Sequence, residues 1–351
     1  MLPYQRQVIQ LGRQTATLGQ TINMLAQLDS IISEFLILVE GTISTAAATA
    51  NPEGLPAILQ QVRVTGTLSD GTPVSPINNI RGPQLAELAQ FIRSNVSWSW
   101  GSLGSTGTFG AYVPCTFENW RMNGTVMVNG NPVYLRWMSC LPAGTMGALT
   151  ISIQLANQNQ LDTNAAPTLA FSTISIGIQQ NQFFKSSVPA LFTYFPNSVD
   201  QIVNSAVSAG TGQNILFPNG TAYLNILLRS MTSTNATTRA CVTKQADGTV
   251  GPIDLSYTSL GLTLADSNNV PKAQLGWEQI RKDNLDHITD SLVAGNACFQ
   301  FNNGLQSVWR PSPGSNTIPL TVPYNTTGTS NPLVEFIYQR LWDPNNALQL
   351  I

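Results

Sequence analysis

Residues 60–74 read QQVRVTGTLSDGTPV, and this stretch predicts two antiparallel strands joined by a tight turn. Val62 and Val64 alternate with polar residues before the Asp70-Gly71 pair, which tolerates the positive φ of a type I′ turn. A second stretch, GTVMVNGNPVYLRWM at 124–138, predicts another hairpin because it carries an Asn-Gly pair between two apolar runs. Two such hairpins favour an all-β fold.

Further strands are predicted on both sides of these hairpins. The stretch EFLILVEGTIST at 34–45 is partly apolar on both faces, as strands in the core of a sandwich are. The other predicted strands lie at 109–117, 148–156, 169–179, 220–231, 252–264, 296–301 and 332–342.

The first 28 residues predict a helix instead, because their apolar residues recur at helical spacing. We expect an N-terminal helical arm over residues 1–30. Its apolar stripe packs either on its own domain or on a neighbouring subunit or a membrane surface. The candidate assembly or membrane-facing residues are this stripe and the two charges of the segment: Arg6, Val8, Leu11, Arg13, Leu18, Ile22 and Leu25.

One helix is also expected within each half of the chain, at 82–94 and at 272–293. The two helices occupy equivalent places among the strands, so the halves repeat an order of elements without repeating letters. Many short strands, few helices and two similar halves predict two jelly-roll β-sandwiches side by side. We expect the first jelly roll over residues 31–184 and the second over 185–351.

The composition narrows the classes of function. The 351 residues include 16 Lys and Arg against 18 Asp and Glu, for a net charge of −2. The chain therefore lacks the clustered positive charge that nucleic-acid binding requires, and we expect no specific nucleic-acid partner. Only 10% of the residues are charged, where about 25% is usual. This depletion suits a protein with large contacts between copies, since interfaces are poor in Lys and Glu.

Catalytic and metal-binding patterns are weak. His287 is the only histidine, and without a GxSxG motif a solvated helix histidine is favoured over a Ser-His-Asp triad. Asp283, Asp286 and Asp290 have the spacing of a carboxylate metal site, but a solvated helix face with a Lys282–Asp286 pair is favoured. We therefore expect no enzyme activity, no metal and no cofactor.

The cysteines and the N-terminus bear on the compartment. Cys115, Cys140, Cys241 and Cys298 form no CxxC pair, so buried free thiols are favoured over disulfides. Residues 1–20 lack the continuous apolar segment of a signal peptide, and no run of about 18 apolar residues is long enough to cross a bilayer. This predicts synthesis and folding in the cytoplasm.

The order of elements can be followed through most of the chain. It runs from EFLILVEGTIST through an Asn-Pro-Glu-Gly-Leu turn to ILQQVRVTG, then to the helix GPQLAELAQFIRS and the strands AYVPCTFENW, LTISIQLANQNQ and STISIGIQ, and it ends on LVEFIYQRLW. In this order the chain resembles the double jelly-roll major capsid proteins of tailless, icosahedral, membrane-containing viruses. That lineage includes the tectiviruses, the corticoviruses and the adenovirus hexon.

The resemblance implies a non-enzymatic major capsid protein of a virus or bacteriophage, made in the host cytoplasm and built into the virion. Its partners would be further copies of itself, first as a pseudo-hexagonal homotrimer and then as a capsid lattice. Penton or other minor capsid proteins and an internal lipid membrane, contacted by the N-terminal arm, would be further partners. Loops 95–110, 202–219 and 232–250 become candidates for outer towers or for contacts between trimers.

Two other classes of protein are alternatives. A carbohydrate-binding β-sandwich, such as a lectin or a virion spike, would use Trp98, Trp100 and Trp120 as an aromatic platform, although anchoring in a core or an interface is favoured for these residues. A two-domain glycan hydrolase would draw two carboxylates from separate strands. The carboxylates available for that role are Glu118, Asp254 and Glu335.

Overall fold

The computed structural model divides the chain into two compact units, one of residues 1–93 and 98–200 and the other of residues 94–97 and 201–351. The residues that it describes are 6–93, 101–120, 124–128, 131–184, 197–204, 212–216, 222–233, 236–237, 241–242, 261–265, 271–276, 292–293, 296–300, 317–321 and 333–341.

The first unit contains ten strands and two helices within its described residues. The strands are β1 (Arg6–Thr15), β2 (Thr21–Leu25), β3 (Ser30–Thr45), β4 (Leu59–Leu68), β5 (Pro73–Ile80), β6 (Gly107–Thr116), β7 (Thr125–Val128), β8 (Asn131–Tyr134), β9 (Met146–Leu155) and β10 (Ala170–Phe184). The helices are α1 (Gly82–Ile92) and the four-residue α2 (Gln158–Leu161), with 3-10 turns at Leu55–Ile58, Leu135–Ser139 and Ala143–Thr145.

Eight of these strands form a jelly roll. One sheet has the order β1-β10-β3-β6 and the other contains the run β5-β4-β9-β2, with every neighbouring pair antiparallel. The hairpin of β7 and β8 is an insertion. Without it, the first sheet holds the first, eighth, third and sixth strands along the chain, and the second holds the fifth, fourth, seventh and second, which is jelly-roll connectivity.

The core of this unit follows from residue alternation along the strands. On β3, Phe35, Ile37 and Val39 are fully buried, while Leu36 and Leu38 between them are partly exposed. Successive side chains of a strand point to opposite faces, so the first set lines the core and the second lies on the outer face. Burying each such apolar side chain contributes about 1.5–3 kcal/mol.

The helix predicted at 82–94 is confirmed as α1, and its residues are buried throughout. The backbone N–H of Arg81 donates to Oε1 of Gln84 at 2.8 Å, which satisfies a donor at the helix start. A Cβ on Gly82 would lie 2.3 Å from the carbonyl oxygen of Pro56. Only glycine therefore lets the helix begin this close to the 3-10 turn at Leu55–Ile58.

The predicted N-terminal helix is wrong over its described residues. Residues 6–15 and 21–25 are strands, and Gly12 and Gly19 within and between them have φ of 142° and 76°, which a right-handed helix does not contain. Strand pairing with β10 and β9 supplies the backbone hydrogen bonds instead. Tertiary pairing has overridden a chance helical spacing of the apolar residues.

The second unit is also built from strands in its described parts. The remaining strands of the chain are β11 (Asn197–Asn204), whose first four residues belong to the first unit, β12 (Gly212–Leu216), β13 (Ala222–Ser233), β14 (Ala236–Thr237), β15 (Cys241–Val242), β16 (Gly261–Ala265), β17 (Pro271–Gly276), β18 (Leu292–Val293), β19 (Asn296–Gln300), β20 (Thr317–Thr321) and β21 (Leu333–Leu341). One sheet has the order β12-β20-β16-β17, β13 pairs with β14, β19 and β21, and β15 pairs with β18.

The predicted helix at 272–293 is corrected at both ends. Residues 271–276 form β17, in which Leu275 pairs with Leu262 and Ala273 with Leu264 of β16, and residues 292–293 form β18. Residues 277–291 lie outside the described part of the chain. Cross-strand pairing again decides the conformation of a segment whose own spacing favoured a helix.

Most predicted strands are confirmed. The stretches at 34–45, 60–74, 109–117, 148–156, 169–179, 220–231, 296–301 and 332–342 coincide with observed strands, and β7 pairs with β8 as the second hairpin predicts. Gly71 in the first hairpin turn has a φ of 87°, but Asp70 does not have a positive φ, so the turn is not of type I′. Of the strand predicted at 252–264, residues 261–264 are described, as part of β16. The predicted loops 202–219 and 232–250 include β12, β14 and β15.

Candidate functional site

Charged residues of the first unit gather at one end of the sheet β1-β10-β3-β6. This end is reached by the start of β1, the end of β10, the start of β3 and the end of β6, because neighbouring strands are antiparallel. The C-terminal end of α1 and the 3-10 turn after β8 also contribute residues. We call the group the arginine cluster, and it consists of Arg6, Arg93, Arg136, Glu34, Glu118 and Trp120.

Glu118 lies between two of the arginines. Its Oε2 is 2.6 Å from Nη2 of Arg6, and its Oε1 is 3.2 Å from Nε of Arg136. The Glu118 side chain is only 3% exposed, whereas those of Arg6 and Arg136 are 47% and 29% exposed. A single buried carboxylate thus holds two partly exposed guanidinium groups side by side.

Glu34 has the third arginine as its partner. Its Oε2 accepts a hydrogen bond from Nη1 of Arg93 at 2.6 Å and a longer one, 3.4 Å, from the hydroxyl of Thr116. Its Oε1 accepts one from Nδ2 of Asn181 at 2.6 Å. Glu34 therefore links β3 to β6, β10 and the end of α1.

Trp120 is the centre of the cluster. The guanidinium carbons of Arg136, Arg6 and Arg93 lie 4.6, 5.3 and 5.7 Å from the centroid of its ring system. Cations at such distances are attracted to an indole by its quadrupole, with about 0.5–2 kcal/mol for each contact. Trp120 is partly exposed and contacts three guanidinium groups of its own chain.

Burial raises the pKa of Glu118 above its usual range, and the charges of Arg6, Arg136 and Arg93 oppose that rise in part. Nearby Glu34 acts in the same direction as burial. The cluster holds three arginines and two glutamates, so with both carboxylates ionised one positive charge is left uncompensated. This part of the surface is cationic in a chain whose net charge is negative.

The outward face of the same sheet is covered at the end that carries the cluster. There Phe183 packs against Trp137, with ring centroids 5.2 Å apart, and is 2% exposed. Farther along the sheet lies a row formed by Tyr112, Leu38 and Gly177, which are opposite one another on β6, β3 and β10. Tyr112 is 51% exposed.

We call Leu36, Leu38, Tyr112 and Gly177 the outer patch. Gly177 itself is buried between its neighbours, because Cβ of Leu38 and Nε of Arg13 lie 3.8 and 3.7 Å from the place that a Cβ on the glycine would occupy. An ion pair between Arg13 and Glu40, 2.7 Å, borders it. The patch is the apolar part of an otherwise polar face.

The structure separates the candidate residues of the predicted arm. Arg6 belongs to the arginine cluster, Arg13 borders the outer patch, and Val8 on β1 is 59% exposed. Leu11 and Leu18 are partly exposed, Leu25 is 72% exposed, and Ile22 is in the core at 2%. They do not form one surface, because a strand places alternate residues on opposite faces.

Asp162 is a second buried carboxylate with a different environment. It follows α2 and accepts hydrogen bonds from the backbone N–H groups of Ala48, Thr49, Asn164 and Thr168 at 2.7–3.2 Å. Burial raises its pKa, but these backbone donors outweigh burial and hold the pKa well below its usual range. The carboxylate fastens the segment after β3 to the segment before β10.

The second unit contains a buried ion pair across two neighbouring strands. Arg229 on β13 and Glu335 on β21 are register partners, and Nη1 of the arginine lies 2.6 Å from Oε2 of the glutamate. The side chains are 0% and 7% exposed. The ring centroids of Tyr223 and Tyr338, on the same two strands, lie 5.4 Å apart.

Several candidates from the sequence fall outside the described residues. These are His287, Asp283, Asp286, Asp290, Asp254, Trp98 and Trp100. Cys115, Cys140 and Cys298 are buried free thiols, as predicted, and burial raises the pKa of the Cys115 and Cys140 thiols. Within the described ranges, no three His, Cys, Asp or Glu residues are grouped so that they could hold a metal ion. The same ranges contain no helix that is long and apolar enough to span a membrane.

Sequence reasoning missed three members of the cluster, Glu34, Arg93 and Arg136. Each is far along the chain from the others, with Glu34 on β3, Arg93 at the end of α1 and Arg136 in a 3-10 turn, so only the tertiary fold brings them together. One feature of the sequence could have pointed to the cluster. In a chain with few charges, Glu118 and Arg136 both stand within two residues of a tryptophan.

The strand order of the first unit defines a jelly roll, and comparison with solved structures defines the class of the whole chain as a double jelly roll. The major capsid protein of Sulfolobus Turreted Icosahedral Virus has a TM-score of 0.67 at 11% identity, with 99% of this chain and 100% of that one covered. The fold class predicted from the sequence is thereby confirmed.

Two further solved structures are similar. The major capsid protein P2 of bacteriophage PM2 has a TM-score of 0.55 at 11% identity, covering 97% of this chain and 99% of its own. The PBCV-1 virus capsid also has a TM-score of 0.55, at 12% identity, covering 96% of this chain and 94% of its own. The sequence matches no protein-family model and no curated protein.

Proposed function

We propose that this chain is a major capsid protein, a structural and non-enzymatic subunit that builds the shell of an icosahedral virion by self-association. The observation that carries the proposal is the double jelly-roll fold, shared with three viral capsid structures over at least 96% of this chain. The match extends over nearly the whole length of those chains as well. A likeness of this extent supports a shared architectural role more than the likeness of a single sandwich domain would.

The surface chemistry of the chain supports the same proposal. Only 10% of its residues are charged, and charged residues are depleted in the cores of protein interfaces. The outer patch supplies apolar surface on the first jelly roll, with Tyr112 exposed and Leu36 and Leu38 partly exposed. In our proposal a second copy of the chain covers this patch, because copies of the chain are the partners that a shell requires.

The finer part of the proposal is a pseudo-hexagonal homotrimer. Three chains with two similar sandwiches each would present six similar sides, so a closed three-fold oligomer can occupy a six-fold position in a lattice. Penton or other minor capsid proteins would complete the shell after synthesis in the host cytoplasm. Contact of the N-terminal segment with an internal lipid membrane rests on the resemblance alone.

Light scattering after size exclusion, followed by electron microscopy of the same fraction, tests the proposal. We expect a mass of three chains, hexagonal blocks in the images, and larger assemblies at higher protein concentration. A protein that stays monomeric over the whole concentration range would contradict self-association. A stable dimer would contradict the trimer but not the architectural role.

Substitution in the outer patch tests which surface is used. Tyr112→Asp places a charge where the proposal requires an apolar contact, and it should shift the protein from assemblies toward smaller species at unchanged thermal stability. The matched control is Ser69→Asp, which adds the same charge at an exposed turn position between β4 and β5. If the two variants assembled equally well, the outer patch would not be the surface through which copies of the chain associate.

A further inference from the structure

The arginine cluster carries more positive charge than its own carboxylates neutralise. Arg6 and Arg136 form ion pairs with the two oxygens of the same Glu118, and Arg93 forms one with Glu34. All three guanidinium groups also face the ring of Trp120. Holding like charges this close is unfavourable, and a further anion between them would relieve the repulsion.

The arginines also have hydrogen-bond donors to spare. A guanidinium carries five N–H donors, and the polar contacts that these arginines make within the described ranges use Nη2 of Arg6, Nε of Arg136 and Nη1 of Arg93. Both terminal nitrogens of Arg136 are therefore available on a side chain that is 29% exposed. Arg6, which is 47% exposed, gives access from solvent.

We propose that the arginine cluster is a binding site for one oxyanion of the phosphate class, held by Arg6, Arg93 and Arg136. The planar fork of a guanidinium matches two oxygens of a phosphate, and such charge-assisted pairs are about twice as strong as neutral hydrogen bonds. Three guanidinium groups from three different elements suit a tetrahedral anion with several oxygens. Glu34 and Glu118 are the carboxylates that already pair with these arginines, so the bound anion would use the donors that the two glutamates leave open.

The site is preorganised. Glu118 is 3% exposed and Glu34 11%, and these two carboxylates hold arginines whose side chains are 23–47% exposed. Stacking on Trp120 restricts the same side chains further. Preorganisation reduces the entropy that a ligand must offset on binding. Binding of the anion does not depend on the capsid role, since contacts of the first unit alone form the site.

Thermal unfolding and isothermal titration of the full-length protein test the inference, with inorganic phosphate as the probe at neutral pH. We expect phosphate to bind saturably and to raise the melting temperature above that in sodium chloride of equal ionic strength. Arg136→Gln should weaken binding by at least about tenfold, because it removes two open donors and one charge. Arg63→Gln, at an exposed position of β4, is the matched control and should bind as the wild type does.

A second variant and a second anion complete the test. Arg136→Lys retains the charge without the fork, so it should bind phosphate more weakly than the wild type and more tightly than Arg136→Gln, even if the glutamine variant folds poorly. Sodium acetate at equal ionic strength should give no saturable binding. Three results would overturn the proposal. The wild type could show no saturable phosphate binding, the Arg136 variants could bind phosphate as tightly as the wild type, or acetate could bind as tightly as phosphate.

Discussion

Nη2 of Arg6 lies 2.6 Å from Oε2 of Glu118, across 112 positions of sequence. The contact ties the start of β1, an edge strand, to the segment that follows β6 on the opposite edge of the same sheet. Arg6 also faces Trp120 and Phe183, at 5.3 and 5.2 Å. The edge strand is therefore held at its beginning by charge and aromatic contacts as well as by backbone pairing with β10.

The raised pKa of Glu118 predicts a pH-dependent stability. Because its pKa in the folded protein lies above the unfolded value of about 4.3, the folded state binds more protons between the two values. Its contribution to stability is therefore greatest below the unfolded pKa and is lost as the pH rises through the folded pKa. In Glu118→Gln this titration is removed, so the free energy of unfolding of the wild type should fall relative to that of the variant as the pH rises.

Urea unfolding at a series of pH values measures this difference. Glu40→Gln is the control, because it removes a carboxylate whose pair with Arg13 is at the surface. The control should change the free energy of unfolding by less than about 1 kcal/mol. A wild-type advantage over Glu118→Gln that grows with pH would contradict a raised pKa for Glu118 in the folded protein.

The place of Ile22 in the core predicts that the N-terminal segment is needed for folding. Ile22→Ala should lower the free energy of unfolding by about 2–5 kcal/mol, since it removes a side chain that is 2% exposed. Leu25→Ala on the same strand is the control, and because Leu25 is 72% exposed its effect should stay within about 0.5 kcal/mol. Denaturant unfolding measures both. Deletion of residues 1–28 should prevent folding of the first unit, and a folded, trimeric deletion variant would refute this.

Asp162 predicts a pH dependence of the opposite sign. Its depressed pKa means that it contributes stability above the unfolded value of about 3.9, and that this stability is lost as the pH falls through the folded pKa. Asp162→Asn replaces an acceptor by an N–H₂ group facing backbone donors, so it should lower the melting temperature near neutral pH and narrow the gap to the wild type in acid. Asp70→Asn is the comparison: the pKa of the exposed Asp70 is also lowered, chiefly by one backbone hydrogen bond from Thr72 at 2.9 Å, so its effect should have the same sign and be smaller.

The buried pair of Arg229 and Glu335 predicts strong non-additivity. Arg229→Met leaves a buried carboxylate without its arginine and should cost about 3–5 kcal/mol in the second unit. The double variant Arg229→Met/Glu335→Leu removes both charges and should recover most of that loss. A double-mutant cycle from denaturant unfolding measures the coupling. Additive single effects would show that the two charges stabilise the fold independently.

Local signals account for the parts of the fold that were predicted. The hairpin of β4 and β5 was predicted because Asp70-Gly71 specifies its turn within a few residues, and α1 because its stripe and Pro83 lie within one element. The conformation of β1 depends on β10, whose residue Phe183 pairs with Arg6. No window of local sequence contains both strands, so a chance helical spacing prevailed in the prediction.

The candidate site divides in the same way. Arg6, Glu118 and Trp120 were singled out from the sequence, Arg6 as one of two charges on the polar face of the N-terminal segment, Glu118 as an available carboxylate and Trp120 as an aromatic platform or anchor. Their partners Arg93 and Arg136 come from the end of a helix and from a 3-10 turn. Only the tertiary fold makes these residues neighbours. The pattern of a single sequence does not reveal contacts between segments that are so far apart along the chain.

The antiparallel pairing of β1 with β10 has a consequence for biosynthesis. Residues 6–15 are synthesised long before residues 170–184, so β1 remains without its partner strand until β10 has been made. Closing a loop of this length is slow compared with forming the β4–β5 hairpin. Until that closure, Val8 and the other residues of β1 have no partner strand, so a chaperone that shields this segment should raise the yield of native protein.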